Sequence, residues 1–238
     1  MASAADKIDA LYLIAHPTFE SKKIERLIVH LQKYFPSLGS DKIILAAPSW
    51  GSQLTSADCF TLYDPWLPRP GWPNFTWKNR CLIKGEISLV INFYTVMKTA
   101  LEKGHKTILV LESDIFLRED FEERFLKLFS ELEMQKKEWD FISLSDGISS
   151  HSDKYTGVYM EQTVCDPPHQ FVFRCTDSMI FRTDIFRKIM PTILPFRECL
   201  DWELNFQFIL HGGKALWAEP HLVEQGTAKN REISGLPA

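Results

Sequence analysis

No stretch of this 238-residue chain approaches the run of about 20 apolar residues needed to cross a bilayer. Its opening segment, Met1 to Lys7, lacks the basic-then-apolar layout of a secretory signal. Positive charge is not in excess either: 27 Lys and Arg stand against 31 Asp and Glu, a formal net charge of −4. That balance argues against a chain built to grip nucleic acid or an anionic membrane. The five cysteines (Cys59, Cys81, Cys165, Cys175 and Cys199) are odd in number and lack CxxC spacing. They read as reduced thiols, and a soluble, cytoplasmic protein is the expectation. Neither GxGxxG nor GxxxxGK[ST] occurs, which disfavours phosphate binding on a glycine turn. Internal repeats and low-complexity tracts are missing as well.

What remains is an ordinary globular composition, 45% hydrophobic and 24% charged, long enough to bury roughly 70–75% of its unfolded surface without staples. The N-terminal part alternates two periodicities. Leu11 to Ala15 is an apolar run closed by His16-Pro17, and Ile24, Leu27, Ile28, Leu31, Tyr34 and Phe35 follow on one helical face. Residues 42–47 predict a second strand, and Trp50 to Arg80, whose four prolines are interleaved with Trp66, Trp72 and Trp77, predict a long ordered loop. The spacing of Ile87, Val90, Ile91, Tyr94, Met97 and Leu101 predicts a helix over 85–103, stopped by Gly104. Thr107 to Leu111 then reads as a strand covered on both faces. A helix through Phe121 to Leu132 and a strand over 139–144 continue the alternation, which predicts a Rossmann-like, mostly parallel sheet flanked by helices. Residues 147–175 read as loop and hairpin, 178–181 as a strand, 184–190 and 199–210 as helices, and 214–217 as a strand before an irregular tail. One domain over 1–238, regular to residue 146 and more irregular beyond, is the expected organisation.

Ligands of open α/β sheets bind beyond the carboxyl ends of the strands. Three polar segments fall there: His16-Pro17-Thr18, Glu112-Ser113-Asp114, and Ser143 to Asp146. Two carboxylates one residue apart, where a buried strand opens into a loop, can converge on a hard divalent cation such as Mg²⁺ or Mn²⁺. The alternative is that Glu112 and Asp114 cap the next helix or face water. A phosphatase with an acidic nucleophile after a strand would need Asp where Glu112 stands.

Gly85-Glu-Ile87, a long helix, and then Ile108-Leu-Val-Leu-Glu-Ser-Asp-Ile115 resemble the core of the family 25 glycosyltransferases, the lipopolysaccharide and collagen-galactosyl type. Leu200-Asp-Trp-Glu203 and Ala218-Glu-Pro-His-Leu-Val-Glu-Gln225 are similar to that family's later segments, in the same order. Two positions depart from the pattern: Ser113 stands at the middle acidic position, and Ile91-Asn92 where the family has Ser-His. The resemblance implies a GT-A type fold, with a nucleotide-sugar-binding half over 1–146 and an acceptor-side half over 147–238. It also implies a nucleotide-diphosphate sugar donor, UDP by family frequency, a Mn²⁺ or Mg²⁺ ion, and a glycan or other hydroxyl acceptor. On that reading Glu112, Asp114 and His221 are metal-ligand candidates. His16, Pro17, Thr18, Arg80, Lys84, Ser113, Ser145 and Asp146 are candidates for holding the donor. An inverting transfer needs a base, and Asp201 and Glu203 are the candidates, rotated by ~200° on a shared helix so that only one faces the site. Asp201 matches the family's Asp; its other reading is a helix N-cap. Trp66, Trp72 and Trp77 either offer an acceptor sugar a stacking face or anchor their loop. A non-catalytic protein of the same fold that binds a sugar nucleotide or a partner and transfers nothing is the competing class.

Overall fold

Along the first strand Leu11, Leu13 and Ala15 join one hydrophobic cluster while Ala10, Tyr12 and Ile14 join another. This period-2 alternation of buried residues on both faces makes the strand the middle of a three-layer sandwich. The computed structural model describes residues 3–46, 49–69, 81–147 and 163–226. The strands are β1 (Ala10–Ile14), β2 (Ile43–Leu45), β3 (Thr107–Glu112), β4 (Ile115–Leu117), β5 (Phe141–Ser143), β6 (Val164–Cys165), β7 (Ser178–Arg182), β8 (Ala215–Ala218) and β9 (Val223–Gln225). The helices are α1 (Ser21–Tyr34), α2 (Ser56–Leu62), α3 (Lys84–Glu102), α4 (Phe121–Gln135), α5 (Asp184–Ile193) and α6 (Leu200–His211).

Seven strands form one sheet in the order β2-β1-β3-β7-β5-β8-β6, and β4 pairs with β9 in a small second sheet. β1 is parallel to β2 and β3, and β5 is parallel to β8. β7 lies antiparallel between β3 and β5, so those two strands point the same way. The architecture is therefore the expected α/β one, a mostly parallel sheet with helices on both faces. Residues of α1 and α4 pack on one face with Leu109 and Leu111, and residues of α3, α5 and α6 pack on the other with Ile108 and Val110.

Two features differ from expectation. The stretch read as loop from Trp50 contains α2, started by Thr55, whose hydroxyl accepts from the Asp58 amide at 3.1 Å while Asp58 accepts from the Thr55 amide at 2.9 Å. The three-residue strands β4 and β9 carry too short a pattern to show periodicity. Much of the expected loop and hairpin over 147–175 lies outside the described residues, as do Arg80, Trp72 and Trp77. No helix among the described residues is long and apolar enough to cross a membrane.

Candidate functional site

The carboxyl ends of β1, β3, β5 and β8 open at one edge of the sheet. Because β7 runs the other way, its amino-terminal end opens there too. The register is fixed at that edge by a bond of 2.8 Å from the Glu112 amide to the Asp177 carbonyl. The result is a cavity of about 180 Å³ into which Glu112, Thr176, Asp177, Asp201 and Gln225 bring polar groups, with Leu89 and Leu200 as apolar wall. A larger groove of about 620 Å³ lies between α1 and β4, around His30, Tyr34, Phe116 and Arg118, and holds none of the sequence-predicted site residues. The chemistry gathers in the smaller cavity.

Glu112 ends β3, where four fully covered residues lead into a more open position. Its Oε1 accepts from the Thr176 hydroxyl at 3.0 Å. Burial first, then repulsion from Asp114 and Asp177, pushes its carboxyl up to about 8. Asp177 is 1% exposed, and burial raises its carboxyl to about 6, against the opposing pull of a hydrogen bond from Ser145. Burial, then the charges of Asp177, Asp201, Glu112 and Asp146, drives the Cys175 thiol up, so it stays protonated. Cys175 also has φ 150°, a backbone region sparsely populated by non-glycine residues. Five carboxylates thus bear electrostatically on one cavity edge.

Two arginines lie within electrostatic reach of these carboxylates, Arg26 of Asp114 and Arg174 of Asp146. Arg26 on α1 donates to the Ser113 carbonyl at 2.8 Å and feels the charge of Asp114. Arg174 is buried behind the cavity, bonded to Glu219 at 2.7 Å and to the Ala218 carbonyl at 3.1 Å, and stacked over Trp217.

The structure brings several sequence-predicted residues to this edge. Asp201 reaches the cavity from the first turn of α6, and its Oδ1 accepts from the Trp202 amide at 3.0 Å and the Cys199 thiol at 3.1 Å. The N-cap of α6 is Cys199, so Asp201 is the second residue of the helix and not its cap, and its Oδ2 takes no part in those bonds. Ser113 is buried, and its hydroxyl donates to Glu20 Oε1 at 2.7 Å. Glu20 in turn accepts from the His16 amide at 2.9 Å, tying the turn after β1 to the acidic motif. The His16 ring accepts from the Thr18 amide at 3.2 Å and packs against Phe19 and Trp50. Pro17 lies in the same turn. Ser145 is fully buried against Asp177, with Asp146 next to it.

Other residues lie apart. Glu203 is fully buried, with Oε2 accepting from Arg69 at 2.5 Å and from the Arg197 amide at 3.0 Å, and Oε1 accepting from Gln207 at 3.1 Å. It ties α6 to two loops rather than lining the cavity. Lys84 donates to the Leu54 carbonyl at 2.7 Å. His221 faces Glu224, 3.8 Å away. Asn92, at the departure from the family's pattern, clamps Ser49 by accepting from its amide and donating to its carbonyl, both at 3.0 Å. Trp66 is 85% exposed.

Asp177 and Gln225 were not among the sequence candidates. Asp177 precedes a strand instead of following one, and only the antiparallel sense of β7 carries it to the site edge. Gln225 arrives because β9 pairs with β4 in the register Ile115 to Gln225. Beside it the Gly226 amide donates to the Asp114 carbonyl at 2.8 Å, and a Cβ on Gly226 would fall 2.3 Å from that oxygen. Only glycine permits this approach, so the tail is fastened directly to the acidic motif.

A test of fit for a cation follows from these contacts. Among the described residues no three His, Cys, Asp or Glu converge as a metal cage on their own. One or two carboxylates suffice for Mg²⁺ when water and substrate phosphate complete the shell. The acceptor-rich edge with its crowded carboxylates fits that open kind of site.

No family model matches the chain. Over 75 residues, 32% of its length, it is 29% identical to the protein of Rattus norvegicus named probable inactive glycosyltransferase 25 family member 3. It is equally similar to the inactive glycosyltransferase 25 family member 3 of Homo sapiens, and 27% identical to the Mus musculus protein of that name. The match spans 13% of the rat protein and 12% of the human and mouse ones. The chain is thus distantly similar to glycosyltransferase 25 family members over about a third of its length.

Proposed function

We propose that this chain binds a nucleotide-diphosphate sugar, UDP-linked, with Mn²⁺ or Mg²⁺, and transfers the sugar with inversion to a hydroxyl of a glycan or other acceptor. The observation that supports it is the gathering of Glu112, Asp114 and Asp177 at the cavity edge, where burial first and then repulsion from Asp114 and Asp177 raise the Glu112 carboxyl to about 8. Such a cluster repels a bare diphosphate and favours one accompanied by a cation. Glu112 and Asp114 would hold the ion, which supplies Lewis-acid neutralisation of the charge gathering on the departing diphosphate.

The chain's own groups do the rest. Asp201 accepts the acceptor hydroxyl's proton; its position is set by the Trp202 amide at the start of α6. Leu89 and Leu200 narrow the cavity and limit water. The His16, Phe19 and Trp50 rings beyond β1, with Phe19 and Trp50 stacked at 5.5 Å, offer an aromatic surface for the nucleotide base.

A second reading, binding without transfer, is favoured by Ser113, whose hydroxyl is occupied by Glu20, and by the relatives' names, which call them inactive. Release of UDP from a panel of UDP-sugars with Mn²⁺ separates the two. Transfer predicts slow donor hydrolysis that vanishes in EDTA and in Asp114→Ala. Calorimetric binding of UDP-sugar with no UDP released selects the second reading, and neither binding nor release removes both.

A further inference from the structure

We infer that the cation's oxygen donors come from three chain segments, with Asp177 and Gln225 joining Glu112 as direct ligands. The inference rests on the metal-assisted reading above and assigns residues that reading does not need.

Two observations independent of the acidic motif carry it. Asp177 is 1% exposed; its carboxyl takes a hydrogen bond from Ser145 and its Oδ1 lies 3.4 Å from the Ser178 hydroxyl, yet its Oδ2 is buried with no hydrogen-bond partner. Gln225 Oε1 is likewise buried and without a hydrogen bond, although Gln225 belongs to a different strand and sheet. Both residues line the same cavity as Glu112. Buried acceptors are ordinarily satisfied, and one left over signals an absent partner. Two orphan oxygens facing one space cannot satisfy each other, since neither is a donor.

The partner's chemistry follows from the surroundings. Asp114 adds negative charge at the same edge, so a cation gains more than a neutral donor does. The donors assigned here, the carboxylates of Glu112 and Asp177 and the carboxamide of Gln225, are all hard oxygens, a set suited to Mg²⁺ or Mn²⁺. Backbone bonds lock the three segments together before any ion arrives. Glu112 donates its amide to Asp177, β4 and β9 pair at Ile115 and Gln225, and the Gly226 amide holds Asp114.

The experiment titrates the full chain with Mn²⁺, alone and with UDP, and follows the free-ion electron paramagnetic resonance signal. Wild type is expected to bind, Asp177→Asn and Gln225→Met to bind about tenfold more weakly or worse, and Gln225→Glu to bind more tightly. Circular dichroism confirms folding. If Asp177→Asn does not fold, the opposite changes expected of Gln225→Met and Gln225→Glu decide. Wild-type binding with every variant within twofold overturns the inference and leaves Glu112 and Asp114 as the cation's holders. Absence of binding by wild type under both conditions overturns the metal-assisted reading and this inference with it.

Discussion

Replacing Glu112 with Gln removes an ionisable group from the acidic edge while keeping the shape of the side chain and, through the amide oxygen, the bond from Thr176. The expected consequence in metal-free protein is a gain in stability that grows with pH. The folded-state carboxyl is raised to about 8 from 4.5, so between those values the folded chain holds more proton than the unfolded chain. Stability from this group is then full below about pH 4.5 and falls as pH rises through 8. At about 1.4 kcal/mol per unit, ionisation at pH 7 disfavours the wild-type fold by roughly 3 kcal/mol. At roughly 2–4 °C per kcal/mol for a chain of this size, Glu112→Gln should raise Tm by about 6–12 °C at pH 7 in EDTA, and by little at pH 5. Thermal melts followed by circular dichroism at the two pH values provide the measurement. Saturating Mn²⁺ should narrow the difference by stabilising wild type preferentially. A variant that melts with or below wild type at pH 7, or whose advantage is the same at pH 5, refutes the picture of mutually repelling buried carboxylates.

Gly226→Ala would press a Cβ against the Asp114 carbonyl and Phe116; a displacement near 1 Å should cut donor hydrolysis about 100-fold and lower stability by about 1–3 kcal/mol, read by UDP release and urea unfolding. Arg69→Ala strands the Glu203 carboxylate in a fully buried position, and urea unfolding should show a loss of about 3–5 kcal/mol. Asp201→Asn keeps an oxygen for the Trp202 amide but cannot take a proton, so transfer to an acceptor should fall about 10²–10⁴-fold while UDP affinity, measured by calorimetry, stays within twofold.

The parallel strands were legible because β1 and β3 are uninterrupted apolar runs, the pattern of strands covered on both faces. Helices α1 and α3 were equally plain, since their apolar stripes recur over several turns. Strand direction was not legible. Ser178 to Phe181 reads as a strand from its residues, but nothing in a period of two says which way it runs. Helix α2 could have been found, for Thr55 and Asp58 have the spacing of a capping box. The loop reading came from the prolines and tryptophans that follow it.

The same blindness to direction explains what a motif finds and what it misses at the site. A motif reports carboxylates joined by sequence, and Glu112-Ser113-Asp114 is visible for that reason. Ser113 is the weak member on paper. In the fold its Oγ sits 2.7 Å from Glu20 Oε1, so a carboxylate there would face another, with Lys23, 3.4 Å from the same Glu20 oxygen, as a cation beside the pair. Glu20 cannot readily withdraw, since it also receives the His16 amide. Negative charge enters instead from the neighbouring strand: β7, reversed between β3 and β5, sets Asp177 beside Glu112 through the bond between their backbones. The acidic edge of this sheet is thus built partly along the chain and partly across it. An antiparallel insertion lets a residue that precedes a strand stand where residues that follow strands would otherwise stand alone.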